Sequence, residues 1–262
     1  MTSFSTPILF LVFNRPDTTR QVFDAIRQAK PEQLFVAADG PRANRLEEAG
    51  QCEAVRAIVE QVDWTCEVKT LFRSENLGCG KAVSSAITWF FEHVEEGIIL
   101  EDDCLPHPSF FHYCKELLDY YRNNDKVMFI GGCQFLDAQT SIEDSYYFSA
   151  MCHVWGWATW KTTWMKYKFN VKDIYGSRQD LTKTLRYYFP DSAIRRYWLW
   201  TFLLMKKNPI DTWDYQLVFS IWENKGLSIV PTKNLVSNIG YGNDATHTTV
   251  ESNGKANMPR YG

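Results

Sequence analysis

Blocks of apolar residues alternate with amphipathic ones through the first hundred positions. Residues 7–13 form an unbroken apolar run around Ile8, Phe10 and Val12, which predicts a strand buried on both faces. Residues 34–38, 66–72 and 98–100 predict three further strands. Between them the apolar spacing is helical. Val22, Phe23 and Ile26 share one face of a helix running to Ala29, with Asp17 or Thr18 as its cap. Cys52, Val55, Ile58, Val59 and Val62 do the same over 47–62, and 81–94 predicts a third helix. Strand, helix, strand, helix, strand, helix, strand implies a mostly parallel sheet with right-handed crossovers.

Beyond residue 100 the pattern predicts a helix over 109–122 capped by Ser109 and a strand over 127–130. A long helix is expected over 181–207. A last helix opens within 209–216 and carries Leu217, Val218, Ile221 and Trp222, and a short strand follows over 226–231. No linker or low-complexity segment divides the 262 residues, so one α/β domain spanning 1–262 is expected.

The fourth strand runs directly into Glu101, Asp102 and Asp103, and Pro106 ends the extended segment. Ligands of such sheets collect at the carboxyl ends of strands. Three adjacent carboxylates need a cation to relieve their repulsion. Oxygen donors of this kind suit Mn²⁺ or Mg²⁺ with positions left for phosphate oxygens.

Net charge is −3, so nucleic acid is not an expected partner. The seven cysteines are odd in number and include no CxxC pair, which argues against a disulfide framework or zinc site and suits a reducing cytoplasm. Residues 1–7 lack the basic start and apolar core of a signal peptide, and no apolar run approaches the roughly 20 residues of a membrane span. A cytoplasmic protein is expected, working at the inner face of the membrane if its acceptor is lipid-linked. Residues 181–207 mix Arg and Lys with Tyr and Trp, which suits either peripheral membrane contact or an ordinary helix with a solvated basic face. No GxGxxG or Walker-type lysine follows the first strand, which excludes a dinucleotide site and a P-loop. In the run 153–160, Trp155 and Trp157 point the same way if the chain is extended. They are either sugar platforms or an aromatic minicore.

Residues 98–103, Ile-Ile-Leu-Glu-Asp-Asp, resemble the strand and Asp-X-Asp-type motif of GT-A nucleotide-sugar glycosyltransferases. The Glu-Asp-Asp form is most similar to inverting enzymes that add N-acetylglucosamine and to related bacterial transferases. The resemblance covers most of 6–248. It implies a Rossmann-like GT-A domain with a nucleotide-sugar half over 1–132 and an aromatic-rich acceptor half over 133–262. It also implies a UDP-type donor sugar, a glycan or lipid-linked acceptor, and a role in surface polysaccharide assembly.

Asn14, Arg15 and Asp39 would then fall where the nucleotide lies, although Asp39 equally suits a turn-organising role. Arg73, ahead of the Asn76-Leu77-Gly78 loop, would meet the diphosphate or sugar. Glu101 and Asp102 would touch ribose or sugar hydroxyls, and Asp103 would hold the metal, with His247 as a further metal or phosphate ligand. Asp214 would be the base, with Asp211 as understudy, although both also suit helix caps. Two other readings stay open. A sugar-1-phosphate nucleotidylyltransferase would carry a Gly-rich signature where Asn14-Arg15-Pro16 stands. A glycan-binding protein of the same fold would do no chemistry.

Overall fold

The structure is a computed structural model that describes residues 4–45, 47–136, 143–240 and 258–261. The first half follows the alternation read from sequence: β1 (Ile8–Val12), α1 (Pro16–Ala29), β2 (Gln33–Ala38), α2 (Glu48–Val59), β3 (Glu67–Phe72), α3 (Cys79–His93) and β4 (Glu96–Glu101). Then come β5 (Cys104–Pro106), α4 (Pro108–Tyr121), β6 (Val127–Gly131), β7 (Tyr146–Ser149) and β8 (Trp157–Trp160). The short helices α5 (Lys161–Trp164) and α6 (Val171–Ile174) precede α7 (Arg178–Tyr188), α8 (Ser192–Lys207) and α9 (Asp214–Glu223). The strands β9 (Leu227–Pro231) and β10 (Val236–Asn238) close the described order.

Eight of these strands form one sheet in the order β3-β2-β1-β4-β8-β6-β9-β7. β1 pairs in parallel with β2 and β4, and β2 with β3. β8 is antiparallel to both β4 and β6, and β7 is antiparallel to β9. The rest run one way, so the sheet is mostly parallel. Its alternating side chains feed two apolar layers. Leu9, Leu11, Phe35 and Ile99 face α3 and the helices of the second half. Ile8, Phe10, Val36, Ile98 and Leu100 face α1, α2 and α4. Burial of both faces explains why these strands read as unbroken apolar runs rather than as alternating ones. The result is a single Rossmann-like α/β domain with helices on both faces.

Several local expectations are corrected. α1 starts at Pro16, not after an Asp17 or Thr18 cap, because proline at the first helical position loses no intrahelical bond. His107, not Ser109, caps α4: its ring accepts from the Ser109 N–H. The helix expected over 181–207 is two helices. The chain leaves the helix at Phe189, ahead of Pro190, which disfavours helical geometry in the residue before it. Asp191 then caps α8 by accepting from the Ala193 and Ile194 N–H groups.

Candidate functional site

β1 has β2 on one side and β4 on the other, so the connections leaving β1 and β3 diverge. A crevice opens at the carboxyl ends of β1 and β4, where open α/β sheets bind ligands. Here it widens into a cleft of about 620 Å³, within the range of small-molecule sites. One wall carries Arg15, Asp39, Arg42, Arg73, Glu101, Asp102 and Asp103. Trp155 and the segment from Ile210 to Tyr215 line the same cleft.

Arg15 stands where β1 turns into α1 and bridges two of the acids. One guanidinium nitrogen meets Asp102 and another lies 3.0 Å from Asp103 Oδ2. Asp102 also accepts from the Phe13 N–H at 3.3 Å, tying the ends of β1 and β4 together. Burial opposes the charge on Arg15, but the two carboxylates outweigh it and hold the guanidinium protonated. Burial pushes Asp102 up to about 6, with Arg15 pulling it back. Burial, then Asp103 and Asp102, pushes Glu101 up to about 8, and Asp214 adds to the rise. Arg15 also pulls Glu101 down, but less than its surroundings push it up. The cation expected from three adjacent acids is therefore supplied in part by the chain itself.

Glu101 near 8 is neutral at pH 7, and Arg15 then stands against the two carboxyls of Asp102 and Asp103. Among the described residues the Glu101 carboxyl makes no hydrogen bond or ion pair, and Asp103 Oδ1 accepts only from the Cys104 thiol, at 3.4 Å. No cage of three His, Cys, Asp or Glu side chains occurs among the described residues. A Mg²⁺-like ion needs none: it is commonly held by one or two carboxylates, with water and substrate phosphates completing the shell. Asp103 fits that donor set, and Glu101 joins it once the ion displaces its proton. Behind Asp103 the backbone is clamped by β10, whose register places Asn238 opposite Cys104, and the Ile239 N–H donates to the Asp103 carbonyl at 2.8 Å. A Cβ on Gly240 would come within 2.3 Å of Asp103 Oδ2, so glycine is needed for this approach.

The remaining expected residues divide. Asp39 lines the cleft but is occupied: it accepts from the Leu77 and Gly40 N–H groups and from Asn76 Nδ2. Burial raises its pKa while those N–H groups resist the rise. Arg73 lines the cleft and donates to Ser85 Oγ at 2.8 Å. Asn14 does not line the cleft; its amide donates to Glu48 Oε1 at 3.3 Å. Trp155 lines the cleft, its ring edge-on to Phe135 at 5.2 Å.

Trp157 does not join it. The run 153–160 is not uniformly extended, because Gly156 takes φ 65° and turns the chain. Trp157 is 0% exposed, stacked between Phe129 at 5.1 Å and Trp213 at 5.8 Å. His247 lies outside the described residues.

Asp211 and Asp214 have different partners. Asp211 accepts from the Cys79 and Gly80 N–H groups at 2.9 and 2.8 Å, capping α3 rather than its own helix. Asp214 is the first residue of α9, and one of its oxygens accepts from the Thr212 hydroxyl. Arg42, Cys79, Thr212 and Asn238 also line the cleft, and sequence reasoning missed them. Arg42 could have been suspected, since it follows the end of β2. It stacks on Phe13 at 5.5 Å and is held by Glu48. Burial first, then Glu101, Asp211 and Asp214, pushes the Cys79 thiol up to about 12, so it stays protonated.

No family model and no curated protein matches the sequence. Among solved structures, a UDP-glucose pyrophosphorylase complexed with UDP-glucose is 10% identical, covers 62% of this chain and 78% of its own, and has a TM-score of 0.35. The inositol-1-phosphate CTP transferase of T. maritima is 8% identical over 67% of this chain and 77% of its own, with a TM-score of 0.39. The glycosyltransferase GlyE of Streptococcus pneumoniae is 7% identical over 87% of this chain and 45% of its own, with a TM-score of 0.40. Likenesses at these identities and scores do not assign a reaction.

Proposed function

We propose that this chain transfers a sugar from a nucleoside-diphosphate sugar, UDP-linked by resemblance, to a hydroxyl of a glycan or glycolipid. The observation that carries this reading is the charge layout of one cleft. Arg15, Arg42 and Arg73 share the strand-end wall with the acids and suit an anionic diphosphate. Asp214 lines the same cleft, with one oxygen engaged by Thr212.

In the proposed reaction Asp214 accepts the acceptor hydroxyl proton as that oxygen attacks the anomeric carbon. The bond from the anomeric carbon to the diphosphate oxygen breaks, and the nucleoside diphosphate leaves with the electron pair. The arginines stabilise the charge that develops on it. Mn²⁺ or Mg²⁺ held by Asp103 and Glu101 would supply further charge neutralisation on the diphosphate. Trp155 gives the acceptor sugar a ring face. Inversion follows if a single base works opposite the leaving group.

A nucleotidylyltransferase reading is disfavoured by the β1–α1 turn. Only Phe13, Asn14 and Arg15 separate the strand from the helix, without a glycine.

The test is thermal unfolding with nucleotide sugars, with and without Mn²⁺. A donor at a hundred times its Kd stabilises by about 2.7 kcal/mol. We expect a gain from UDP-sugars with Mn²⁺, and loss of the Mn²⁺-dependent part in Asp103→Ala. No gain from any nucleotide sugar overturns the reading. Pyrophosphate release from UTP and a sugar phosphate would replace it with the nucleotidylyltransferase.

A further inference from the structure

The two faces of α8 differ in character. Its inner face is conventional: Trp198, Phe202 and Met205 are buried, and Trp198 meets Trp222 edge-on at 4.9 Å. Its outer face is not. Ile194, Tyr197, Trp200 and Leu204 follow one another at spacings of three, three and four, which places them along one side of a helix. Tyr197 is 59% exposed, Trp200 58% and Leu204 55%. A solvated helix face would carry charged residues at such positions.

The charge around this stripe has one sign. α8 itself contains four cations and no Asp or Glu. Over residues 178–207 seven Arg and Lys stand against two Asp, in a chain whose net charge is −3. Both acids are spent on helix caps, Asp180 in the box with Ser177 and Asp191 at the start of α8. Arg195 is held by the Phe189 and Pro190 carbonyls, and Lys206 lies over the Tyr175 ring at 4.7 Å. Arg196 and Lys207 flank the apolar stripe, are exposed, and make no ion pair among the described residues.

We infer that the outer face of α8 docks on an anionic membrane surface. Trp and Tyr favour the headgroup level, Leu204 and Ile194 reach the acyl boundary, and Arg196 and Lys207 meet lipid phosphates. An acidic protein would match the cations but not an aliphatic and aromatic stripe of this length. The position of α8 also matters. Its inner residue Trp198 touches Tyr215 edge-on at 6.1 Å, and Tyr215 lines the cleft beside Asp214. The chain leaving α8 reaches Ile210, which is exposed and lines the same wall. Docking through α8 therefore leaves about one helix diameter between the bilayer and Tyr215, and the acceptor class this implies is a lipid-linked sugar. That last step rests on the transfer reading; the docking surface does not.

The test is co-sedimentation of the full chain, without donor, with vesicles of phosphatidylcholine alone and of phosphatidylcholine mixed with phosphatidylglycerol. We expect binding to the mixed vesicles only, weakened by salt. Arg196→Gln with Lys207→Gln should lower partitioning about tenfold or more, and Trp200→Ser with Leu204→Ser should abolish it. These residues are exposed, and far-UV circular dichroism checks that the variants stay folded. No binding by the wild type, or equal binding by the variants, overturns the inference. So does a dimer at rising concentration that Trp200→Ser dissolves without any vesicle binding, since a second copy would then cover the stripe. Vesicle binding needs no nucleotide, so its failure and failure of donor-induced stabilisation are separate results.

Discussion

Asp211 and Asp214 lie three positions apart and have the same carboxylate, yet the structure gives them separate work. Asp211 closes the N-terminus of α3, where losing such a cap costs roughly 1 kcal/mol. Asp214 has one oxygen engaged by Thr212, and as the proposed base it would contribute about 10²–10⁴-fold. Asp214→Asn should therefore keep donor binding and lose transfer by that factor, measured as kcat at saturating donor. Asp211→Ala should chiefly lower the Tm. If the two losses are exchanged, the base is Asp211. Arg15 supplies a second contrast. Asp102 is almost wholly buried beside it, and removing one partner of a buried pair costs about 3–5 kcal/mol. Arg15→Leu should destabilise by that order in urea unfolding, far more than an exposed arginine would. A loss under 1 kcal/mol would mean that the pair is solvated.

At the scale of elements, β8 is the strand that joins the two halves of the sheet. It pairs with β4 on one side and β6 on the other. Trp157 fills the layer beneath it and stacks on Trp213, the residue before Asp214. Trp157→Ala should cost about 3–5 kcal/mol by leaving a cavity, read from the urea midpoint. A variant that keeps its stability while losing sugar affinity would return Trp157 to the cleft.

The link from β2 to α2 carries a pH dependence. The Arg42 side chain, with its hydrogen bonds to Glu48, outweighs burial and holds that carboxyl below its usual range. A depressed carboxyl contributes stability above its unfolded pKa and loses it as pH falls through the folded value. Unfolding free energy should therefore decline below about pH 4.5, and Glu48→Gln should flatten that part of the profile. An unchanged profile would remove Glu48 from the linkage.

Across the whole molecule, the strand-and-helix order of the first half was legible because burial on both faces leaves a local signature in the chain. The crevice at the end of β4 was legible for the same reason: a strand running into three acids is a local pattern. The second half was less so. The antiparallel strand β8 and the short pair β5–β10 are too brief for periodicity to register, and the break before α8 rests on one proline. Asp102 meets a guanidinium 87 positions away, and Asp211 caps a helix 131 and 132 positions away. No window of sequence contains such pairs.

What the sequence alone determined is the layered α/β order and the place of the acids, because both follow from which residues leave water. Only the tertiary structure decided which acid caps, which is paired by Arg15, and which tryptophan reaches the cleft. Those outcomes depend on neighbours brought together by folding, and on one glycine that turns the chain between Trp155 and Trp157.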